Sequence, residues 1–541
     1  MRNFDFIIVG GGSAGCVLAD KLSASGKYSV LLLEAGPSDR RFWIKVPIGY
    51  GISFHDPKVN WRFRGETDSG LGERETYVPR GKVLGGSSSI NALVYHRGQA
   101  GDYDDWAAAD NPGWDYASVK PVFESFEAMG APDQSARSSN KQNRLSVTDA
   151  SSSYHALKDT FLEVCGESQL PNQPRPLVEG VGVGPYYINT RQGQRCSSAT
   201  AFLDPARQRK NLTILTGSHV TKLTVNEGRA TAVKAVINGQ DVSYMANREI
   251  ILSAGAVGSP HILQLSGIGS GEELRKQNID VVLNQPNVGQ HMQDHLGVNY
   301  IFKAKHPTLN AVLGTWVGRI LAGMEYVARR TGPLALSVNQ MGGLVKSSAD
   351  LARADTQLYL NPLSYQTVYN GKRPLTKPDK FQGFIMGFNS CRPASRGSVT
   401  VTSPDSRVQP KIWGNYLSHQ KDLDDVVRMA RLIQRMQGTD ALKATLSEPA
   451  LIPLDNMSDD EIIDDFRQRS GTVFHLCGTC RMGPNANTNV VNSRLRVHDI
   501  DGLRVCDASI FPNITSANTN APTIMAAHKA AEMILTDNLN G

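Results

Sequence analysis

Three glycines near the start of the chain have the spacing of a loop that binds phosphate groups. The segment FDFIIVGGGSAG contains Gly10, Gly12 and Gly15 directly after an apolar run. The first glycine permits a tight turn, the second lets the backbone approach a pyrophosphate, and the third lets the next helix pack closely. Ser13 would begin that helix, whose free N–H groups attract an anion. These residues predict a dinucleotide-binding turn.

An acidic residue follows the next apolar run, at the distance that a dinucleotide site requires. The segment SVLLLEAG places Glu34 nineteen residues after Gly15 and directly before Ala35. A carboxylate in this place accepts hydrogen bonds from ribose hydroxyls and repels a 2′-phosphate. The turn and the acid together predict NAD or FAD, and they leave the choice between the two open.

Two short motifs further along have residue types that can bind metal or carry electrons, and neither motif is complete. Cys477 and Cys480 form C-x-x-C, but the sequence has no second such pair. His291, Asp294 and His295 imitate an H-x-x-E-H zinc motif with a shorter acid and without an evident third ligand. We therefore predict no metal site.

The elements around the glycine turn predict a parallel sheet and an α/β fold. Residues 4–9 and 29–34 have the pattern of strands, and residues 13–25 between them have the pattern of a helix. Ser458 and Glu461 form a capping box ahead of another helix. Further strands are predicted at 212–216, 249–252 and 503–507, and further helices at 421–437, at 459–469 and from 521.

Composition and charge narrow the class of protein. A chain of 541 residues predicts about two domains. A net charge of +6 without a Lys/Arg block argues against nucleic acid as a partner, although brief contact with acidic lipid stays open. Seven cysteines without a disulfide framework, no leader pattern and no apolar run of about 18 residues predict a cytoplasmic protein without a membrane span.

Several longer segments resemble signatures of the glucose–methanol–choline (GMC) oxidoreductase family. They read RGKVLGGSSSIN at 80–91, SAGAVGSPHILQLSGIG at 253–269, VGQHMQDH at 288–295, HLCGTCRMG at 475–483 and DASIFPNITSANTNAPT at 507–523. They occur in family order, and with the glycine turn they span almost the whole chain. The chain is most similar to bacterial members of the choline-dehydrogenase and alcohol-dehydrogenase types. This resemblance implies that the dinucleotide is FAD.

The resemblance also implies how the chain divides into domains. It predicts a Rossmann-like, doubly wound FAD-binding domain that is assembled from discontinuous segments, residues 1–305 and 473–541. It predicts a second, α+β substrate-binding domain over residues 306–472. The pattern of apolar residues alone does not predict this second architecture.

Beyond the glycine turn and Glu34, the resemblance places a set of residues beside the cofactor. Gly85 and Gly86, followed by serines, offer amides and hydroxyls to an anionic oxygen or a flavin edge. In members that tether the flavin covalently, a histidine occupies the position of Ile90, so we predict non-covalent FAD. The predicted contacts are Arg80, Val83, Gly85, Gly86, Ser87, Asn91, Ala92, Val220, Ser253, Ala254, Gly255, Asp507, Ala508 and Asn518.

For the chemistry, the resemblance places a base at His475. Transfer of hydride from an alcohol carbon to flavin N5 requires removal of the hydroxyl proton, and a positioned histidine accelerates such a step by about 10²–10⁴-fold. Asn520 matches the family's second polar residue and is predicted to orient the alcohol and stabilise developing charge. Phe474, beside the base, is predicted to line the substrate pocket.

The expected reaction is oxidation of a primary alcohol to a carbonyl product, with electrons passed to a quinone-like acceptor. Three alternatives remain at this point. The acceptor can be oxygen, which makes the protein an oxidase that releases H₂O₂. The same fold also hosts lyases and a decarboxylase. Finally, the protein can bind flavin without catalysing a reaction.

Overall fold

The first strand of the chain lies inside a seven-stranded sheet. A computed structural model describes residues 2–130, 145–365 and 377–539. Arg2–Val9 pairs in parallel with Val30–Leu33 on one side and with Gln240–Leu252 on the other. Leu212–Leu215 and Leu503–Val505 add further parallel strands to these neighbours. The chain therefore returns to this sheet after long excursions, as the discontinuous FAD domain requires.

The parallel part of the sheet is covered on both faces. Residues 6–9 and 30–33 are buried without alternation, which is the pattern of strands that are covered on both faces. The helices Ser13–Ser23 and Asn520–Asp537 pack against each other, and Gly255–Leu265 begins where Gln240–Leu252 ends. Two antiparallel strands, Ser218–Asn226 and Arg229–Ile237, complete the sheet.

A second sheet of six antiparallel strands packs against helices and forms a separate apolar core. The helices Gln420–Gln437 and Asp459–Arg469 contribute to this core. Two of its strands, Gly182–Pro185 and Leu296–Lys303, precede residue 306, so the second sheet starts earlier in the chain than the predicted boundary. Its strands in spatial order are Gly471–Thr472, Leu296–Lys303, Gly383–Ser390, Thr356–Asn361, Met341–Val345 and Gly182–Pro185.

The structure confirms the predicted helices and strands, and most of their ends lie within two residues of the prediction. The strand predicted at 249–252 begins earlier, at Gln240. The helix at 459–469 has the predicted capping box, in which the Ser458 hydroxyl accepts from the Glu461 N–H. Within the described residues, no helix combines the length and the apolar character that crossing a bilayer requires. A smaller four-stranded sheet joins Val94–Tyr95, Tyr187–Ile188, Leu145–Asp149 and Glu127–Gly130. Further helices include Phe42–Lys45, Tyr50–Ser53, Ala100–Ala108, Tyr116–Phe126, Leu157–Glu167, Gly271–Lys276, Leu309–Leu313, Trp316–Arg329 and Asp440–Thr445.

Candidate active site

The glycine turn has the close backbone contacts that its sequence predicts. Gly10 has φ +102°, and a Cβ there would lie 2.5 Å from the Ser253 carbonyl oxygen. A Cβ on Gly15 would lie 1.9 Å from the Gly10 carbonyl oxygen. Gly12 is the N-cap of the helix Ser13–Ser23 and has no side chain with which to cap it. The first N–H groups of this helix are therefore left for a ligand.

The glycine–serine segment predicted to bind the cofactor packs directly on this turn. The Gly85 N–H donates to the Gly11 carbonyl oxygen at 2.7 Å. A Cβ on Gly86 would lie 2.7 Å from the Gly12 Cα. Gly86 requires glycine because two stretches of backbone meet here, and Gly85 requires it because its φ is +85°. This contact joins two segments that are about 70 residues apart in the chain into one binding wall.

Glu34 holds the glycine turn to the end of the second strand. Its two carboxylate oxygens accept from the Gly11 and Gly36 N–H groups, each at 2.8 Å. Burial raises the pKa of Glu34 to about 7. The Glu34 side chain also lines the main cavity of the protein, so it can make the predicted contact with ribose.

These segments surround a cavity of about 730 Å³. Of the predicted site residues, only Gly15, Val83 and Gly85 do not line it. Gly15 and Gly85 support the turn from behind, and Val83 packs in an apolar cluster with Ile90. The lining residues are Gly10, Gly12, Ser13, Glu34, Ala35, Arg80, Gly86, Ser87, Asn91, Ala92, Val220, Ser253, Ala254, Gly255, Phe474, His475, Asp507, Ala508, Asn518 and Asn520.

Buried polar atoms in the cavity wall indicate that its ligand is polar. Arg80 Nε, Ser218 Oγ, Ser253 Oγ and His261 Nε2 have no hydrogen-bond partner among the described residues, and all four residues line the cavity. Buried polar groups in native proteins are nearly always paired, so unpaired ones in a cavity mark positions for ligand contacts. Their distribution around the glycine turn fits a dinucleotide.

Asp294 holds the segment that carries His475 in place. The His475 N–H donates to the Asp294 carboxylate at 2.7 Å, and the Tyr416 and Thr472 hydroxyls donate to the same group. Phe474, just before, has the unusual φ of +71°, and its carbonyl oxygen accepts from Arg80 at 2.8 Å. This backbone arrangement puts the imidazole of His475 in the cavity wall.

A second histidine determines which nitrogen of His475 carries the proton. His295 Nε2 lies 3.1 Å from the Cys391 carbonyl oxygen, which can only accept, so a neutral His295 carries its proton there. His295 Nδ1 then accepts from His475 Nδ1 at 2.9 Å. A neutral His475 is therefore protonated at Nδ1, and its Nε2 is left as a hydrogen-bond acceptor.

The surroundings keep both imidazoles neutral. Burial, followed by the charges of His295 and Arg80, holds the pKa of His475 well below its usual value of 6.5. Burial likewise lowers the pKa of His295 to about 4. A neutral imidazole with an unprotonated Nε2 is the form that a general base requires at neutral pH.

Of the two asparagines predicted for the site, Asn518 is the one against the base. Asn518 Nδ2 lies 3.1 Å from His475 Nε2, and its Oδ1 accepts from Gln357 Nε2 at 3.2 Å. Asn520 Oδ1 instead accepts from the Ser13 hydroxyl at 2.9 Å, at the start of the helix after the glycine turn. Asn518 therefore lies beside His475, where Asn520 is predicted, and Asn520 lies at the cofactor end, where Asn518 is predicted.

The residues of the two incomplete motifs have other partners. His291 lies 3.4 Å from the Asn287 side chain, away from the Asp294 and His295 contacts. Among the residues that the structure describes, no cluster of His, Cys, Asp and Glu is arranged to hold a metal ion. Cys477 and Cys480 are buried free thiols, and burial raises the pKa of each.

The cavity wall around Phe474 is aromatic, and its charged neighbour is the Arg80 guanidinium. The Phe54 and Phe474 rings meet edge to face at 5.5 Å. Within the described chain, the carboxylates that line the cavity are Glu34 and Asp507. Asp507 accepts from the Gly255 N–H at 2.9 Å and the Ser259 hydroxyl at 2.6 Å, so it supports the glycine loop. Neither carboxylate is therefore available to a cationic substrate beside His475.

Sequence reasoning missed two residues near the predicted base. His295, which contacts His475, stands in the sequence analysis as part of an incomplete zinc motif, and Gln357, which contacts Asn518, carries no signal in the sequence. A possible signal for His295 is its place at the end of VGQHMQDH, a segment that resembles a family element. Its contact with His475, across 180 residues of chain, requires the folded structure.

Comparisons with known proteins agree with this geometry. Two family models described as GMC oxidoreductase match residues 4–297 and 393–527. The chain is 35% identical to the oxygen-dependent choline dehydrogenase of Photobacterium profundum, over 98% of this chain and 93% of that protein. It is 36% identical to an alcohol dehydrogenase (acceptor) of Pseudomonas putida, over 98% and 96%. 

Solved structures of two oxidases are also similar to this chain over almost its whole length. A pyridoxine 4-oxidase from Mesorbium loti matches with a TM-score of 0.86 at 27% identity, over 98% of each chain. A formate oxidase matches with a TM-score of 0.89 at 25% identity, over 100% of this chain and 99% of that one.

Proposed function

The chain belongs to the GMC oxidoreductase family, and from this premise we propose that it uses FAD to oxidise an uncharged primary alcohol with His475 as the base. The observation that carries the proposal is the set of contacts that His475 makes. Its Nδ1 lies 2.9 Å from His295 and its Nε2 3.1 Å from the Asn518 amide, and the residue lines the same cavity as the glycine turn.

The residues present fit FAD. The N-terminus of the helix Ser13–Ser23 and the Gly86 segment would hold the pyrophosphate, and Glu34 would face the ribose. The unpaired Ser253 hydroxyl and Arg80 Nε offer donors to the remaining polar groups. Because Ile90 cannot form a covalent bond to flavin, the cofactor is held without a covalent link.

The protein's part in the reaction is to accept one proton and to fix one oxygen. His475 Nε2 takes the hydroxyl proton, while its Nδ1–H stays with His295. Asn518 Nδ2 donates to the substrate oxygen as negative charge develops there, and Gln357 keeps the amide turned the right way. Bound FAD supplies the acceptor for the hydride that leaves the alcohol carbon.

The walls of the substrate part favour an alcohol with an apolar body. Phe54, Phe474, Val338 and Tyr365 line it. A quaternary ammonium group such as that of choline is usually held by an anion or by an aromatic cage. In the described residues no free carboxylate faces this part of the cavity. Because aromatic rings line this part without a carboxylate of the described chain beside them, we favour an aliphatic or aromatic alcohol, and the panel of alcohols below tests choline against both.

For the electron acceptor we propose a quinone-like carrier, and brief contact of the protein with a membrane surface accompanies this proposal. It is supported by the similarity to an alcohol dehydrogenase (acceptor) and by the exposed apolar helix described below. Oxygen is the alternative, since two similar structures are oxidases.

The test is anaerobic reduction of the flavin by a panel of alcohols. Purified holoenzyme is mixed with 1-butanol, benzyl alcohol or choline, and loss of flavin absorbance is followed. Oxygen or a soluble quinone is then added, and the faster reoxidation identifies the acceptor. We expect His475→Ala to slow reduction by about 10²–10⁴-fold. The control His306→Ala changes an exposed histidine and should reduce at the wild-type rate. Reduction of His475→Ala within about threefold of wild type would refute the assignment.

A further inference from the structure

One helix has an apolar face that points away from the protein. Of the sixteen large apolar residues that are exposed in the described chain, six lie on the helix Trp316–Arg329. Trp316 is the most exposed of the sixteen at 74%, and Met324 and Val327 are 64% and 66% exposed. We call these residues the 316–327 face; they are Trp316, Val317, Ile320, Leu321, Met324 and Val327.

The six side chains form a continuous stripe opposite the side on which the helix packs. Ala322 and Tyr326 are its buried residues, four positions apart and hence on one side. The Tyr326 hydroxyl donates to the Gly193 carbonyl oxygen at 3.1 Å, which fixes that side to the protein. At 100° per residue the six apolar positions fall within about 140° of arc, centred nearly opposite the buried pair. The stripe is therefore free to meet a partner.

The charge on and next to this helix is mainly positive. Arg319 and Arg329 lie on its flanks, nearer to the packed side than to the stripe, and Arg330 follows it directly. The helix carries one acidic residue, Glu325, and its carboxylate accepts from the Thr331 hydroxyl at 3.0 Å. Apolar and aromatic residues on one face with arginines beside them are typical of helices that lie in the interface of a bilayer.

A second exposed aromatic pair belongs to the chain segment under this helix. Phe42 and Trp43 are both exposed, and their rings meet edge to face at 5.0 Å. Val46, three residues further on, packs in one apolar cluster with Tyr326. The pair follows Arg40 and Arg41 in the sequence. Aromatic side chains of this kind favour the headgroup level of a bilayer.

We propose that the 316–327 face binds the surface of a lipid bilayer that contains anionic headgroups. This inference rests on the proposed function, because a lipophilic quinone would be met in such a bilayer. The net positive charge of this helix and its C-terminal end complements anionic headgroups. A second copy of the chain would bring the same positive charge, and the experiment below distinguishes it from a bilayer.

The face adjoins the apolar end of the active-site cavity. The helix Leu309–Leu313 directly precedes it, and Leu313 packs in one cluster with Tyr50, Val338 and Tyr365. The latter three residues line the cavity. A protein seated on a bilayer by the 316–327 face would therefore hold this apolar wall of the cavity close to the lipid, where apolar alcohols and quinones collect.

The experiment is sedimentation of the FAD-loaded, full-length protein with lipid vesicles. Vesicles of equal parts phosphatidylglycerol and phosphatidylcholine are compared with vesicles of phosphatidylcholine alone. The test variant is Ile320→Ser/Leu321→Ser/Met324→Ser. The matched control is Val282→Ser/Leu451→Ser, which removes exposed apolar side chains elsewhere. Reduction of a soluble dye by alcohol is measured for every protein, because none of these positions contacts the catalytic residues.

We expect the wild type and the control to bind the anionic vesicles, and the triple variant to bind at least about tenfold more weakly. Binding of the wild type should weaken on phosphatidylcholine alone. Wild type that stays in solution with both vesicles, or a triple variant that binds as the wild type does, would overturn the proposal. Self-association of the wild type without vesicle binding would identify a second copy as the partner instead. Dye reduction reports the proposed alcohol oxidation separately, so either proposal can fail while the other stands.

Discussion

The roles of Asn518 and Asn520 give the sharpest test of the active-site geometry. Asn518 Nδ2 is 3.1 Å from His475 Nε2, whereas Asn520 contacts the Ser13 hydroxyl at the cofactor end. Asn518→Ala removes a donor aimed at the developing charge, and loss of one such donor typically costs about 2.7–4 kcal/mol. We therefore expect the rate of flavin reduction by alcohol to fall by about 10²–10³-fold.

Asn520→Ala is the matched control because it removes the same side chain two positions away. The hydrogen bond to Ser13 that this variant loses contributes a net free energy of about 0.5–1.5 kcal/mol. We expect the loss to lower the amount of FAD that the protein retains. Both variants are loaded with FAD and mixed anaerobically with alcohol, and the reduction rate and the flavin content are measured. A large rate loss in Asn520→Ala with a near-normal rate in Asn518→Ala would refute the reasoning and restore the assignment made from sequence.

Four further predictions follow from the same contacts. Because the pKa of His475 is held below 6.5, the rate of flavin reduction should stay level as pH falls from 8 to 6.5 and should decline only at lower pH. A pH–rate profile whose decline is centred at or above 6.5 would contradict this. His295→Leu should lower kcat by about tenfold or more with little change in KM, because His295 would no longer hold the proton of His475 on Nδ1. An unchanged kcat would show that His295 has no positioning role. Acid precipitation of the holoenzyme should release all flavin into the supernatant, because Ile90 cannot bond to it, whereas coloured precipitate would disprove non-covalent binding. Gly10→Ala should yield protein without flavin absorbance, because its Cβ would lie 2.5 Å from the Ser253 carbonyl oxygen, and full FAD content in this variant would contradict the close packing of the turn.

The cofactor half of the site is largely predictable because its signals are local. The glycine turn, the helix after it and the acid on the next strand lie within the first 34 residues, and each has a backbone reason for its residue type. The segment with Gly85 and Gly86 was placed by resemblance. The structure adds the reason, which is that Gly86 lies too close to Gly12 to carry a side chain.

The second sheet and the asparagine pair show what sequence reasoning lacks. Gly182–Pro185 is short and rich in glycine, and it becomes a strand only because it pairs with Met341–Val345. Asn518 and Asn520 have the same side chain and are separated by one residue, so composition cannot rank them. Their roles differ because the helix Asn520–Asp537 begins between them and turns Asn520 towards Ser13.

The chemistry of the base depends on a carbonyl group that no motif includes. Resemblance identifies His475, but an imidazole can carry its proton on either nitrogen, and only one of these forms can accept a proton in the cavity. The Cys391 carbonyl oxygen fixes the proton of His295, and His295 then fixes that of His475. Cys391 lies just after the strand Gly383–Ser390 of the second sheet, whereas His475 faces a cavity built largely by the first. In the proposed reaction, the second sheet would therefore set the protonation of His475 in addition to contributing to the wall of the cavity.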